Sequence, residues 1–159
     1  MSSLILPGTI VSYVGHLNNL PANWLFCNGL SVSTNQYPAL YSAIGAAFGS
    51  VGENYFNLPD LQGMFLRGMD NGAGVDPDTA TRQAPAPNGN TGDMVGSVQL
   101  SAFASHAHQL GDQNGYQSTG DYGVYLADLG GGSTGVTGGS ETRPINVYVN
   151  YLIYSGDLS

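Results

Sequence analysis

The sequence predicts a mainly β fold with one short helix (α+β), small and irregular in architecture. Three observations lead there. Glycine is plentiful and charge scarce: 24 of 159 residues are glycine and only 9% are charged, yet 42% are hydrophobic. That balance suits a loop-rich β protein rather than a disordered chain. Runs rich in β-branched and aromatic residues stand near both ends of the chain, and one stretch between them has helical periodicity.

Residues 8–15 (Gly-Thr-Ile-Val-Ser-Tyr-Val-Gly) form the first predicted strand, bounded by glycines. A turn at Pro21 precedes a short strand over residues 24–27, closed by an Asn28-Gly29 turn. Trp24 is expected to pack in the core. Cys27, the single cysteine, excludes an intrachain disulfide and reads as a small buried apolar residue. Residues 37–48 are the predicted helix, because Tyr37, Leu40, Tyr41, Ile44 and Phe48 recur on one face. Thr34 or Asn35 is its expected cap, Pro38 fits its first turn and Gly49 its stop. Its alanines and Ser42 belong on the outer side. Residues 145–154 alternate, with Ile145, Val147, Val149, Tyr151 and Ile153 on one face, so a half-buried strand is predicted, paired with the first strand.

Two segments carry neither period. Residues 69–92 are rich in Pro, Gly and Asn and read as a long ordered loop. Residues 110–140 hold ten of the 24 glycines together with Tyr116, Tyr122, Tyr125, Asp112, Asp121 and Asp128. Tyrosine offers apolar contact area with a polar tip at low entropic cost. A sugar ring, with apolar C–H faces rimmed by hydroxyls, suits such a surface. The bland alternative is a surface insertion with no partner.

The formal net charge is −8, from 11 acidic residues against Arg67, Arg82 and Arg143. No basic footprint exists for nucleic acid or for an anionic membrane. No apolar run approaches the ~20 residues of a spanning helix, and the first residues lack the pattern of a signal peptide, so neither membrane insertion nor a secretory leader is expected. Arg143, in so acidic a chain, is expected in a fixed salt bridge, with Asp60 one candidate partner. His106-Ala-His108 is the candidate metal motif. In an extended backbone the two imidazoles project to one face, as shared ligation requires. Two donors do not complete a structural site, so other ligands must come from elsewhere in the chain or from further copies of it. The pair also fits ordinary surface or interface histidines.

Several stretches together carry a resemblance. Trp24-Leu-Phe-Cys-Asn-Gly29, Tyr37-Pro-Ala-Leu-Tyr-Ser-Ala-Ile-Gly45, Phe48-Gly49 and Phe56-Asn-Leu-Pro-Asp-Leu-Gln-Gly63 resemble the phage tail collar family in order and spacing. Asn28 stands where that family usually has Asp, and Gln62 where it usually has Arg. Residues 95–108 and Glu141-Thr-Arg-Pro-Ile-Asn146 are similar to segments of phage fibre tips. The resemblance implies a collar-type fold in an intertwined homotrimer with a Gly-rich tip. It also implies a transition metal ion, zinc or iron, shared between chains through His106 and His108. Six imidazoles would make an octahedral site rather than zinc's usual tetrahedral one, and iron, nickel or cobalt would fit it at least as well.

The expected organisation is a collar core over residues 1–68, a linker loop and HxH strand over 69–109, a tip insertion over 110–140 and a closing strand over 141–159. The expected function is a tail-fibre or baseplate structural protein, assembled in the host cytoplasm and resident in the virion tail. Its tip residues Tyr116, Tyr122, Tyr125, Asp121 and Asp128 would bind a host surface glycan, and its partners would be tail-fibre or baseplate proteins. A soluble bacterial lectin-like module is the alternative. A metal-dependent enzyme is disfavoured. His106, His108 and Asp112 are similar to the opening of a cupin site, but the one remaining histidine, His16, lies far upstream, and no catalytic triad order or phosphate loop is present.

Overall fold

The computed structural model describes residues 4–102 and 144–156. The chain divides into two compact units, one of Met1–Ser101 with Val147–Ser159 and the other of Ala102–Asn146. The first unit is mostly β with one short helix, as the composition predicts.

Its strands are β1 (Ile10–Tyr13), β2 (Trp24–Phe26), β3 (Ser31–Ser33), β4 (Tyr55–Asn57) and β5 (Asn150–Tyr154). Helix α1 spans Pro38–Ile44, and 3₁₀ turns occur at Leu17–Asn19 and Thr79–Thr81. β5 lies between β1 and β2 in a three-stranded sheet, antiparallel to both. The expected pairing of first and last strands is therefore observed, with Ile10 opposite Ile153 and Tyr13 opposite Asn150. On the other side, Leu25 is also opposite Ile153, so three apolar side chains stand in one row across the sheet. Ile153 is fully buried in that row. Trp24 is half-buried and packs against Tyr154, ring centroids 5.2 Å apart.

β3 and β4 form a second, two-stranded sheet, with α1 inside their connection. Periodicity did not announce them, because each is only three residues long. Cys27, Leu40, Phe56, Leu58 and Ile153 make the shared core, so the helix and both sheets close on one cluster. Burial pushes the Cys27 thiol up to about 12, which keeps it protonated and inert.

The helix is shorter than its apolar period suggests. It ends at Ile44 because Gly45 takes φ +55 and its N–H closes on the Tyr41 carbonyl at 2.8 Å. Ala46 to Phe48 continue as a turn, and Ala47 is buried rather than outward. Neither Thr34 nor Asn35 caps it. The N-cap is Tyr37, without a side-chain cap, and Pro38 occupies the first turn. The first, second and last strands are also shorter than predicted. In β5 the alternation fails: Leu152, Ile153 and Tyr154 are all buried, because that end of the strand is covered on both faces. Ile145 and Val147 lie outside the strand and are exposed.

At Asn28-Gly29 the chain turns through a local Asx turn rather than a hairpin loop, since β2 and β3 lie in different sheets. Asn28 Oδ1 accepts the Leu30 N–H at 3.2 Å, a role aspartate would fill equally, so Asn at this position leaves the turn intact. Gly29 (φ +75) donates to the Pro59 carbonyl at 3.1 Å, and Leu61 donates to Cys27 at 3.1 Å, which docks the Leu58-Pro-Asp-Leu61 turn on the strand end. Gly49 is more constrained. It has φ +101, and a Cβ there would lie 2.8 Å from Ala86 Cβ and 2.9 Å from the Pro87 carbonyl oxygen. Gly49→Ala is expected to cost about 1–3 kcal/mol, read as a lower urea midpoint at unchanged slope.

Candidate functional site

His106, His108, Tyr116, Asp121, Tyr122, Tyr125 and Asp128 lie outside the described residues, as does Arg143. What is described is the platform from which the chain enters that region. His16 lies where expected, exposed in a turn at the start of the Leu17–Asn19 3₁₀ segment. Among the described residues, no group of three or more His, Cys, Asp or Glu could hold a metal ion. No helix among them is long and apolar enough to cross a membrane.

The platform is built around a charge cluster that the sequence reading passed over. Residues 69–92 read as an ordered loop, and the order has an electrostatic centre. Arg82 Nη2 and Nε both donate to Asp76 Oδ2, at 2.5 and 3.2 Å. Its Nη1 reaches Asp93 Oδ1 at 3.4 Å. Asp76 and Arg82 are 6% and 8% exposed, so both charges are largely out of water and satisfied by each other. Arg67 approaches the same Asp76 oxygen at 3.7 Å from the solvent side and donates to Gln99 Oε1 at 3.3 Å. Asp60 accepts the Gln62 N–H within its own turn at 3.3 Å; Arg143, for which it is a candidate partner, lies outside the described residues.

Asp70 organises the loop preceding the cluster. Its carboxylate accepts the N–H groups of Gly74, Val75 and Asp76 at 2.7, 2.7 and 2.9 Å. Those backbone donors hold the Asp70 carboxyl below the usual carboxylate range. The Arg82 guanidinium, with the Asp78 N–H, does the same for Asp76. Asp76 in turn holds Arg82 above its ordinary value. Gln83 and Val98 then exchange two backbone hydrogen bonds of 2.8 Å, an isolated antiparallel bridge. That bridge fixes the backbone at Val98, four residues before the end of the described segment. A signal for all this was available: Arg82 is one of three cations in the chain and sits among Asp70, Asp76, Asp78 and Asp93.

Apolar side chains on this unit remain open to solvent in the single protomer. Phe65 is 68% exposed and Val147 83%, with Met64, Leu66, Leu100 and Tyr148 also exposed. In a monomer such exposure is unusual for so many large apolar groups.

The profile of the phage tail collar domain matches residues 8–66, the stretch that holds β1 to β4 and α1. Among curated proteins, the chain is 38% identical to protein RhiB of Rhizobium leguminosarum bv. viciae over 82% of its own length. It is 30% identical to the uncharacterized protein StfE of Escherichia coli over 84% of its length, covering 79% of StfE. It is 33% identical to the short tail fiber protein gp12 of Enterobacteria phage T4 over 59% of its length. The chain belongs to the phage tail collar domain family. It spans 63% of RhiB and 19% of gp12.

Proposed function

We propose that this chain is a tail-fibre-type structural protein of a phage or phage-like particle, resident in the tail, with adhesion to a host surface as its role and no catalytic activity. The observation that carries this reading is the similarity to a short tail fibre protein at 33% identity. The proposed active form is a homotrimer docked on a tail-fibre or baseplate protein. The exposed Phe65, Val147 and Tyr148 support an assembly, since a subunit interface would remove them from water. A closed threefold arrangement would also bring three His106/His108 pairs to one axis. Those histidines are the proposed ligands of a shared transition metal, iron or zinc, whose contribution would be cross-linking rather than chemistry on a substrate.

In this reading residues 110–140 bind a neutral host glycan, with Tyr116, Tyr122 and Tyr125 as contact faces and Asp121 and Asp128 as hydrogen-bond acceptors. The net charge of −8 argues for a neutral rather than an anionic glycan. Light scattering of purified protein should give three times the protomer mass, and elemental analysis should find metal. The His106→Ala/His108→Ala protein should lose that metal and melt lower, because a ligand held only by the folded assembly stabilises it by mass action. Replacing the three tyrosines by alanine should abolish adhesion to host cells while the melting temperature stays nearly unchanged. Adhesion that survives the change would move the receptor surface elsewhere.

A second reading is favoured by the relatives themselves. RhiB and StfE are bacterial proteins matched over more of this chain than the phage protein is. A bacterial lectin-like module unconnected with particles would share the fold and differ in location. Immunogold electron microscopy of native particles separates the two, since label on particle tails is expected only for the first.

A further inference from the structure

We infer that the collar core itself carries a small carbohydrate-binding recess, distinct from residues 110–140. The recess has a volume of about 270 Å³ and is lined by Tyr41, Tyr55, Ser50, Gly52, Glu53 and Asn88. It lies just under the range of about 300–1,000 Å³ that serves larger ligands, which matches a single ring rather than a chain.

Two tyrosines contribute to its walls. The Tyr41 ring packs on the fully buried Phe56 at 5.3 Å yet stays 39% exposed. Tyr55, at the start of β4, is paired with Ser33 and is 50% exposed. Its N–H closes on the Gly52 carbonyl at 3.2 Å. The floor is locked from the other side. Ser50 donates its N–H to the Pro87 carbonyl at 3.0 Å, and Asn88 Nδ2 donates to the Ser50 carbonyl at 3.3 Å. Asn88 holds φ +63, which asparagine tolerates better than most residues. Gly49 lies close against Ala86, Pro87 and Gly89, so the backbone behind this floor is closely packed.

The polar rim is uncommitted. Among the described residues, the Tyr41 and Tyr55 hydroxyls, the Glu53 carboxylate and Asn88 Oδ1 make no hydrogen bond within the protein. Among the described residues, no cation lines the recess. Arg67 and Arg82 are engaged with Asp76. An anionic ligand would therefore meet Glu53 unopposed. A neutral pyranose meets instead two tyrosines for its C–H faces and two strong acceptors for its hydroxyls.

The test uses the full chain in its native assembly. Methyl α-D-glucopyranoside and methyl β-D-galactopyranoside are titrated to millimolar concentration while the amide NMR signals of Gly52, Glu53 and Asn88 are followed. At least one sugar should shift those signals saturably. Tyr55→Ala and Glu53→Gln should each weaken binding at least tenfold while the melting temperature stays close to that of the parent. The Tyr116→Ala/Tyr122→Ala/Tyr125→Ala protein should keep the recess shifts, so the recess and the proposed tip fail independently. No shift with either sugar, or shifts untouched by both recess variants, overturns the proposal. So does a response to choline chloride alone, which would make the recess an aromatic site for cations.

Discussion

Phe56→Ala will be the most damaging single truncation in the collar core. Phe56 is fully buried in β4, opposite Val32 across the small sheet and against the Tyr41 ring from the helix. Leu40, Leu58 and Ile153 complete the cluster, so this one ring sits in a core to which both sheets and α1 contribute. Removing it loses the transfer energy of the ring and leaves a cavity among elements that are too constrained to collapse. The expected cost is about 3–5 kcal/mol, a large share of the about 5–15 kcal/mol that holds an ordinary domain. The neighbouring Tyr55 points to the opposite face of β4 and is half exposed. Tyr55→Ala is the matched control and should move the urea midpoint little. The comparison requires one fixed protein concentration, because association would contribute to the apparent stability. Equal losses at Phe56 and Tyr55 would show that the core is not organised around this ring.

The legibility of the fold follows the length of each signal. The β1–β5 pairing was readable because both strands carry continuous β-branched and aromatic runs. The Asn28-Gly29 turn was readable because its chemistry is local. β3 and β4 were not, since a three-residue strand contains no full period, and Val32 and Phe56 find each other only through the helix between them. The helix was overextended for a related reason. Phe48 continues the i, i+4 spacing, but Gly45 breaks the backbone first, and Phe48 is carried into place by a turn. The exposed Ile145 and Val147 show the limit of reading alternation as burial: their pattern asks for a covering surface that the described residues do not supply. The charge cluster was missed because its members are scattered over residues 67–93 without a motif. Scarcity was the usable clue: in a chain with three cations, two of them meet at Asp76.

Arg82→Met should destabilise the platform more than Arg82→Met combined with Asp76→Asn. In the parent protein the buried Asp76 carboxylate is neutralised chiefly by Arg82, with Arg67 more distant and exposed. Deleting the guanidinium leaves a carboxylate largely out of water, an arrangement more costly than the pair was favourable. Converting that carboxylate to an amide removes the orphaned charge, while its oxygen can still accept the Asp78 N–H. The double variant should thus recover part of the several degrees of melting temperature lost by the single one, a non-additivity that marks direct coupling. Acid offers an independent check. Asp70 and Asp76 are both held below the ordinary carboxylate range, so the unfolded chain takes up protons more readily than the folded one. Their contribution is therefore whole above the unfolded value of about 3.9 and declines as pH falls through the folded values. Arg82, held upward, stays charged throughout. Unfolding followed from neutral pH downward should be flat in this contribution until the carboxylate range and then weaken, and the Asp76→Asn protein should weaken less steeply. Limited proteolysis gives the spatial readout: in Arg82→Met the cuts should concentrate between residues 70 and 98, where Asp70, Arg82 and the Gln83–Val98 bridge hold the loop. Cuts spread evenly over β1 to β4, or a double variant no more stable than the single, would assign the cluster no special part in holding the segment that leads to His106.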